Sequence, residues 1–270
     1  MKHLIVTADD FGADLAVNEA VEIAHRQGIL TAASLMVAGA AADDAVARAK
    51  AMPALGVGLH VVLVDGAPVL PPEQVPALVG PDGRFHASML RTAFTIALSG
   101  AARRQMQAEV AAQFAAFART GLPLDHVNAH KHFHLHPMIA AAIIRAGQAY
   151  GLKAIRVPQE AGSQLAMRWW AGLLGRRWRR RGLRTNDAVF GLAATGAFDA
   201  ARMAQALAVL PHGLSELYCH PAMADTYPGS APGYRYRDEL AALIDPAVKA
   251  ALAASGAVTG PFHQFAVVRA

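Results

Sequence analysis

Residues 125–137 read Asp-His-Val-Asn-Ala-His-Lys-His-Phe-His-Leu-His-Pro, a run dominated by histidine. Four of these histidines alternate strictly, at His130, His132, His134 and His136. Because alternate side chains of an extended strand share one face, the spacing predicts a strand that presents its imidazoles together. Imidazole is the commonest protein ligand for metal ions, so the run is a candidate metal centre. A solvated histidine-rich tract is the alternative.

The segments on either side of this run alternate between short apolar stretches and amphipathic ones. Strands are predicted at residues 3–8, 33–37, 57–64, 130–136, 154–157, 215–219 and 265–268, and helices at 18–28, 43–52, 103–119, 137–150, 198–210, 237–244 and 246–255. Such alternation is typical of a parallel α/β sheet. The number of strand–helix units favours a distorted TIM-like (β/α) barrel with about seven strands, forming one domain over residues 1–270.

Residues 65–86 interrupt this alternation. They are rich in proline and glycine and predict a long loop, which inside a compact domain is usually functional. Two roles fit such a loop. It is either a lid over a substrate or a subunit contact in a homodimer.

The composition narrows the class of protein. The chain has 270 residues, of which 54% are hydrophobic, enough for one large domain with a full core. Its single cysteine, Cys219, leaves no partner for an internal disulfide and excludes a cysteine-based zinc site. The apolar run at the N-terminus is too short for a signal peptide, and no window is long enough for a membrane span. We therefore expect a cytoplasmic protein.

The net charge of +5 is concentrated in one segment, residues 168–184. The segment contains Arg168, Trp169, Trp170, Arg176, Arg177, Trp178, Arg179, Arg180, Arg181 and Arg184. One interpretation is a solvated helix whose tryptophans pack on the barrel. The other is a surface that contacts the inner face of a membrane, because tryptophan and arginine suit an interface with anionic lipid. No nucleic-acid motif accompanies the arginines, so nucleic acid is not an expected partner.

Acidic and imidazole side chains follow several of the predicted strands. They are Asp9 and Asp10, His60, His130 and His220. In β/α barrels the active site lies at the carboxyl ends of the strands, where these side chains would meet. One aspartate and two histidines would supply the three protein ligands of a catalytic metal site. A second carboxylate could then act as a base. A turn, a helix cap and buried structural histidines are the alternatives for each residue alone.

Four ordered motifs resemble those of the YdjC-like (ChbG-like) carbohydrate deacetylases. They are Thr7-Ala8-Asp9-Asp10-Phe11-Gly12, Gly58-Leu59-His60, His130-Lys131-His132-Phe133-His134 and Cys219-His220-Pro221, and they match in order and spacing over nearly the whole chain. Residues 6–12, 34–38 and 125–137 are similar to the branch found with hopanoid biosynthesis genes, called HpnK. Lys131 departs from the commoner pattern of three consecutive histidines.

The resemblance implies a distorted barrel that removes the acetyl group of an N-acetylated sugar with one divalent metal ion, Zn or Mg. It implies that Asp10, His60 and His130 are the metal ligands. Asp9 would be the general base, and His220 would be the general acid or would stabilise the developing charge.

Two more histidines receive a role from the same resemblance: His132 and His134 would lie behind the ligands or touch the substrate. The HpnK-like branch implies a hopanoid lipid with an N-acetylglucosamine head group, and a peripheral contact with the membrane. Three other functions stay open. They are deacetylation of a soluble chito-oligosaccharide such as diacetylchitobiose, a phosphoesterase with a second metal near His134 and His136, and a non-catalytic carrier of carbohydrate or lipid.

Overall fold

The fold is built around its first strand, β1 (Lys2–Phe11). The structure is a computed structural model that describes residues 1–160 and 165–265. Leu4, Ile5, Val6 and Ala8 are fully buried. Such a continuous apolar run is typical of a parallel strand that is covered on both faces. The carboxyl end of this strand carries the two adjacent aspartates, Asp9 and Asp10.

The described residues contain further strands and helices in alternation. The strands after β1 are β2 (Ala32–Leu35), β3 (Gly56–Val61), β4 (Val127–Ala129), β5 (Ala188–Phe190), β6 (Gly213–Cys219) and β7 (Val258–Thr259). The helices are α1 (Leu15–Gln27), α2 (Ala42–Lys50), α3 (Met89–Leu98), α4 (Gly100–Arg119), α5 (Pro137–Ala149), α6 (Leu165–Arg179), α7 (Ala200–Ala208), α8 (Tyr236–Ile244) and α9 (Pro246–Ser255). None of these helices is both long and apolar enough to cross a bilayer.

The strands form one parallel sheet in the order β4-β3-β2-β1-β6-β5, with β7 paired to the start of β1. The predicted α/β class is confirmed. The sheet is a curled half-barrel of six to seven strands, and the described residues do not complete a TIM barrel. On the side between the edge strands β4 and β5, the described residues form only isolated bridges, Val127 with Ile155 and Ala154 with Arg184, and not a continuous ladder.

The helices are positioned by local signals and by their apolar faces. α1 begins at Leu15 because the Asp14 side chain accepts a hydrogen bond from the backbone N–H of Ala16 and caps the helix. Its buried face includes Val17, Val21 and Ala24. The other predicted helices occur with their ends shifted by a few residues. α3 and β5 are not predicted by the sequence pattern.

The histidine run does not form the predicted strand. β4 ends at Ala129, and His130–Leu135 form a 3-10 turn in which φ is 53° at Lys131 and 55° at His132. The prediction of a strand over residues 130–136 is wrong, because two successive left-handed residues turn the chain and remove the shared face. The alternating histidines therefore point to different parts of the molecule.

Two other predicted strands also differ. Residues 154–157 pair with their neighbours only through isolated bridges, Val127 with Ile155 and Ala154 with Arg184. Near the chain end, a 3-10 turn, Phe262–Phe265, occupies the start of the predicted final strand. Residues 266–268 of that prediction lie outside the described residues.

The loop predicted at residues 65–86 is present and is attached to α4. It contains a short 3-10 turn, Pro72–Gln74, and one antiparallel bridge between Val79 and Phe85. The buried carboxylate of Glu109 accepts hydrogen bonds from the backbone N–H groups of Val69 and Leu70. The loop backbone is thereby anchored by a side chain of α4.

Candidate metal centre and active site

One cavity at the carboxyl ends of the strands collects most of the predicted site residues. It has a volume of about 560 Å³, and its lining includes Asp9, Asp10, His60, His130, His132 and His220. These residues come from β1, β3, β6 and the turn after β4. The parallel sheet thus brings residues that are far apart in sequence to one place, as expected for this architecture.

Asp10, His60 and His130 form a compact group of metal-ligand type. Oδ1 of Asp10 lies 3.3 Å from Nε2 of His60 and 3.1 Å from Nδ1 of His130. One ligand atom from each of the three residues lies within 4.8 Å of the other two. One carboxylate oxygen and two imidazole nitrogens suit zinc and tolerate other divalent ions.

Asp10 reaches this position because the end of β1 is irregular. Its φ is 63°, which is uncommon for a residue with a side chain. The pairing of β1 with β2 shifts register between Ala8 and Phe11, so the strand contains a bulge there. Bulges re-aim side chains, and this one allows neighbouring Asp9 and Asp10 to line the same cavity. Strained residues of this kind concentrate at functional sites.

The hydrogen bonds of His60 indicate whether the group of Asp10, His60 and His130 can bind a metal ion. Nδ1 of His60 lies 2.7 Å from Oδ1 of Asn128, an acceptor, so Nδ1 must carry the proton. Nε2 then faces the carboxylate of Asp10, either as the donor of a protonated imidazolium or with its lone pair directed at a cation held between the two atoms. The donor set therefore fits a divalent cation.

The pKa of His60 responds to the same surroundings. Burial lowers it, but the carboxylates of Asp9 and Asp10 outweigh burial and raise the pKa above its ordinary value. The pKa of Asp10 is well below its usual range, because His130 and His60 outweigh the opposing effect of burial. A concentrated negative charge thus faces the imidazoles.

Asp9 is held as an ionised carboxylate by two partners that the sequence analysis missed. Arg156 donates to both oxygens, with Nη1 at 2.5 Å from Oδ2 and Nη2 at 3.0 Å from Oδ1. Asn128 donates its side-chain N–H to Oδ1 at 2.9 Å. Burial opposes ionisation, but Arg156 and then His60 outweigh it and hold the pKa of Asp9 well below its usual range.

Arg156 is fully buried and also donates to Glu216 at 2.8 Å. Its pKa is raised above its ordinary value, because the carboxylates of Asp9 and Glu216 outweigh the effect of burial. Arginine seldom lies fully buried without a paired acid, so a lone arginine in an apolar stretch such as residues 154–157 is a usable sequence signal. That signal does not identify which acids it meets.

A buried chain of hydrogen bonds leads from the opposite end of the sheet to this site. Nδ1 of His126 donates to Asp125 at 2.9 Å, so its Nε2 accepts from the hydroxyl of Ser34 at 3.0 Å. Ser34 accepts in turn from the side-chain N–H of Asn128 at 3.0 Å. Asn128 in turn accepts a hydrogen bond from His60 through its side-chain oxygen. In this chain, the direction of each hydrogen bond is therefore fixed by the direction of the preceding one. The tautomer of His60 is set in this way.

Gly58 makes room for this chain. A Cβ atom at position 58 would lie 2.6 Å from three atoms of the His126 ring, closer than carbon atoms approach in proteins. The ring therefore packs directly on the glycine backbone of β3. The presence of glycine in the motif Gly58-Leu59-His60 therefore has a steric explanation.

The remaining histidines of the run are used separately. Nε2 of His132 lies 3.1 Å from the hydroxyl of Tyr218, and burial lowers the pKa of His132 well below its ordinary value. Nε2 of His134 donates to the backbone carbonyl of Arg156 at 3.1 Å, and burial lowers its pKa to about 3. Both rings are therefore neutral at neutral pH. His134 does not line the candidate site, whereas His132 does.

His220 directly follows β6, whose last residue, Cys219, pairs with Ala8 of β1, so His220 lies next to the aspartates at the carboxyl edge of the sheet. Its ring is within 5.6 Å of the rings of both Tyr218 and Tyr234, centroid to centroid. Its backbone N–H donates to the buried carboxylate of Glu239, and its Nδ1 lies 4.0 Å from the same oxygen. Glu239 thus fixes the segment and gives the imidazole an acidic neighbour.

The loop and the arginine-rich segment lie at the edge of the site. Lys131, whose role the sequence left open, forms an ion pair with Asp65 at 2.7 Å and so joins the histidine turn to the loop. Within α6, Trp178 is only 2% exposed, so the prediction that it faces a membrane is wrong: it packs in the core. Trp170 is half-buried and donates to the carbonyl of Leu135. Trp169 is 64% exposed.

The arginines of this segment are mostly on the surface. Those exposed are Arg176, Arg177, Arg179, Arg180 and Arg181. Arg179 pairs with Asp187 at 2.8 Å. The structure thus divides the predicted membrane-facing set: Trp178 is buried and Trp170 is half-buried, whereas Trp169 and the five arginines are exposed.

A curled parallel α/β sheet with a group of one aspartate and two histidines of metal-ligand type at its carboxyl edge defines the class of protein. The sequence matches the family described as YdjC-like protein over residues 3–254, so the chain belongs to that family.

Named relatives share most of this length. A carbohydrate deacetylase from Geobacillus stearothermophilus is 31% identical, with 98% of each chain covered. A chitooligosaccharide deacetylase from Serratia marcescens is also 31% identical, over 97% of this chain and 98% of the relative. A carbohydrate deacetylase from Brevibacillus brevis is 38% identical over a shorter region, and the match spans 61% of its length.

A solved structure shares the fold. It is described as a putative cellobiose-phosphate cleavage protein from Enterococcus faecalis V583, with a TM-score of 0.82 and 25% identity. The superposition covers 98% of this chain and 99% of the other. The whole curled sheet is therefore common to both proteins.

Proposed function

We propose that this protein is a metal-dependent carbohydrate N-deacetylase, which hydrolyses the acetamide of an N-acetylated sugar. The observation that carries the proposal is the convergence of Asp10, His60 and His130 beside a second, separately held carboxylate, Asp9. The names of the relatives support the same reaction.

Asp10, His60 and His130 would hold the metal. A divalent cation there would polarise the amide carbonyl and lower the pKa of a water molecule. The chain's own part is to keep these ligands in the correct protonation state. Asn128 does so for His60 by accepting the Nδ1 proton, which leaves Nε2 free to bind.

Asp9 is proposed as the general base. The bidentate contact with Arg156 and the bond from Asn128 fix the carboxylate plane, and its low pKa keeps it ionised throughout the neutral range. A base held in this way accepts the proton of the attacking water without first having to reorient. His220, which lines the same cavity, is proposed to protonate the amine nitrogen as it leaves.

The remaining polar groups of the cavity suit a sugar. Tyr218 is fixed by Thr195 at 2.9 Å and by His132 at 3.1 Å. Burial raises the pKa of Tyr234 to about 12, so this hydroxyl stays protonated and can donate to a sugar oxygen. We propose that these groups orient the ring next to the metal.

We further propose that the sugar is the N-acetylglucosamine head group of a hopanoid lipid. Besides the resemblance to the HpnK branch, an apolar cavity of about 690 Å³ adjoins the site and shares Met89, Lys131, His132 and Leu192 with it. Its other lining residues include Phe133, Leu135, Pro158 and Met167. Such a neighbour suits a substrate with an apolar part. The enzyme would then act as a peripheral protein at the inner face of the membrane.

The second candidate substrate is a soluble chito-oligosaccharide such as diacetylchitobiose, favoured by the name of the Serratia relative. A phosphoesterase with two metals receives less support, because the described ranges 1–160 and 165–265 contain one group of acids and histidines able to hold a metal. The homodimer stays a prediction.

The test is acetate release from an N-acetylglucosaminyl hopanoid and from diacetylchitobiose, with protein first chelated and then reloaded with Zn or Mg. The variants Asp9→Asn and His130→Ala should lose activity by at least about 10²-fold, the usual contribution of a general base or a metal ligand. Asp43→Asn and His212→Ala, which change exposed residues away from the cavity, serve as matched controls.

Release from the hopanoid alone, lost in both site variants and kept in both controls, would support the full proposal. Release from diacetylchitobiose alone would keep the reaction and overturn the lipid substrate. Acetate release that survives chelation and both site variants would overturn the metal-dependent mechanism. A folded protein that binds no divalent ion would favour the non-catalytic carrier.

A further inference from the structure

Helix α3 presents an apolar stripe to solvent. Leu90 is 73% exposed, Phe94 63% and Leu98 84%. Residues four apart lie on one face of a helix, so these three side chains form a continuous row. The opposite face, with Thr92 and Ile96, is buried. Scattered exposed apolar residues are ordinary on a protein surface, whereas a row of three large ones is not.

Helix α6 carries a second stripe with the same spacing. Leu165 is 75% exposed, Trp169 64% and Leu173 38%. The helix is fixed on the protein by its other face, where Ala171, Leu174, Gly175 and Trp178 are buried. The exposed row therefore belongs to a helix whose orientation is determined by the core.

Both stripes begin at the rim of one opening. Met89, the first residue of α3, and Met167, in the first turn of α6, line the same apolar cavity of about 690 Å³. This cavity adjoins the candidate active site and shares His132 and Leu192 with it. Each apolar row thus begins beside a residue that lines a cavity next to the candidate active site.

Exposed cations lie on the same two helices or directly after them. Arg176, Arg177, Arg180 and Arg181 are exposed at the end of α6, and Arg91 is exposed on α3. Within residues 1–160 and 165–265, no ion pair joins any of these five arginines to a carboxylate. Their charge is therefore available to an anionic partner.

We propose that α3 and α6 form a face that docks on an anionic lipid bilayer. The apolar rows insert among the acyl chains near the head groups, and the arginines contact the lipid phosphates. A bilayer accounts for the combination of large apolar side chains and unpaired cations better than a second copy of this chain, because two such faces would repel each other. Docking would turn the opening of the site towards the membrane.

The proposal adds a partner to the proposed function and is tested without substrate. Protein is floated with vesicles of phosphatidylcholine alone and of equal parts phosphatidylcholine and phosphatidylglycerol. The apolar variant is Phe94→Ser, Leu98→Ser and Trp169→Ser together. The charge variant is Arg176→Ser, Arg177→Ser and Arg180→Ser together. We expect binding to the anionic vesicles, reduced at least about tenfold in each variant.

Matched controls remove similar groups elsewhere. Lys50→Ser, Arg119→Ser and Lys249→Ser together remove three exposed cations from α2, α4 and α9, and Val209→Ser removes an apolar side chain that is 64% exposed. Both controls should bind like the unchanged protein. Deacetylation of diacetylchitobiose, measured separately, shows whether each variant keeps an intact site.

Three outcomes would overturn the proposal. They are no binding of the unchanged protein to anionic vesicles, equal loss of binding in the controls, and self-association that the apolar variant abolishes while vesicle binding persists. Failure of deacetylation with vesicle binding intact would count against the proposed function and leave the docking face standing.

Discussion

Within residues 1–160 and 165–265, two clusters of one aspartate and two histidines lie at opposite ends of the sheet. At the carboxyl ends, Asp10 lies between His60 and His130. At the amino end, Asp125 lies between His126 and His263, at 2.9 and 2.7 Å. The residue types are the same, but only the first cluster has the geometry of a cation site.

The difference lies in where the protons are. Asp125 also accepts hydrogen bonds from the backbone N–H groups of Phe262 and His263, so four N–H donors surround its two oxygens. Its charge is satisfied without an ion. At Asp10, one oxygen faces two ring nitrogens, and the Nδ1 proton of His60 is donated to Asn128 and not to Asp10. The directions of the hydrogen bonds therefore distinguish the structural cluster at Asp125 from the candidate metal-binding cluster at Asp10.

The largest effect should come from Asp10→Asn. The change removes a ligand, so metal affinity and kcat/KM should fall by at least about 10³-fold, more than the roughly 10–100-fold effect of an outer hydrogen-bond partner. Calorimetric titration with zinc and acetate release measure the two quantities. Retained metal affinity would show that Asp10 is no more a ligand than Asp125 is.

Asp125→Asn should have the opposite profile. Replacing a buried, fully hydrogen-bonded carboxylate should lower the free energy of unfolding by about 3 kcal/mol. Metal affinity should change by less than about tenfold, because the amide oxygen can still accept from His126. Urea unfolding of the metal-free protein and zinc titration provide the comparison. A loss of metal binding without a loss of stability would reverse the assignment of the two clusters.

The same aspartate should leave a signature in the pH dependence of stability. Hydrogen bonds from His126 and from His263 outweigh burial and lower the pKa of Asp125 from 3.8 to about 2. Because the folded pKa lies below the unfolded one, this stabilisation is complete above about pH 4 and is lost as pH falls towards 2.

The difference in unfolding free energy between the unchanged protein and Asp125→Asn should therefore shrink by about 2 kcal/mol between about pH 6 and pH 2. The other titrating groups are present in both proteins and cancel. A difference that stays constant with pH would show that Asp125 has an ordinary pKa.

The smallest effect should come from Ser34→Ala, which breaks the hydrogen-bond chain between the two clusters. Asn128 then loses the acceptor that fixes one of its protons, and metal affinity should fall by about tenfold. Ser215→Ala is the matched control, since Ser215 is also buried on a strand but its hydroxyl has no hydrogen-bond partner within residues 1–160 and 165–265. If the two changes lower metal affinity equally, the hydrogen-bond chain through Ser34 does not position the metal ligands.

The sequence predicted the parts of the fold that depend on local pattern. The strand β1 contains a continuous apolar run over residues 4–6, and α5 begins at Pro137 and has an apolar face, so both kinds of element follow from composition and period. α3 was missed because its large apolar residues Leu90, Phe94 and Leu98 point outward, against the pattern expected of a helix on a core.

The site residues that lie at the ends of predicted strands could be predicted from the sequence. Those whose position or role depends on tertiary contacts could not. Alternation suggested a strand through the histidine run, but the left-handed turn at Lys131 and His132 overrides it. Arg156, Asn128 and Ser34 escaped notice because their roles are defined by partners far away in sequence.

The close contact between Gly58 and His126 restricts which residues can evolve at either position. Since any Cβ at position 58 would occupy the space of the imidazole ring, a side chain can appear there only after position 126 has become smaller or moved. Loss of His126 would in turn leave Ser34 without its acceptor. Drift at these two positions should therefore be correlated, and an alignment of relatives should show them changing as a pair.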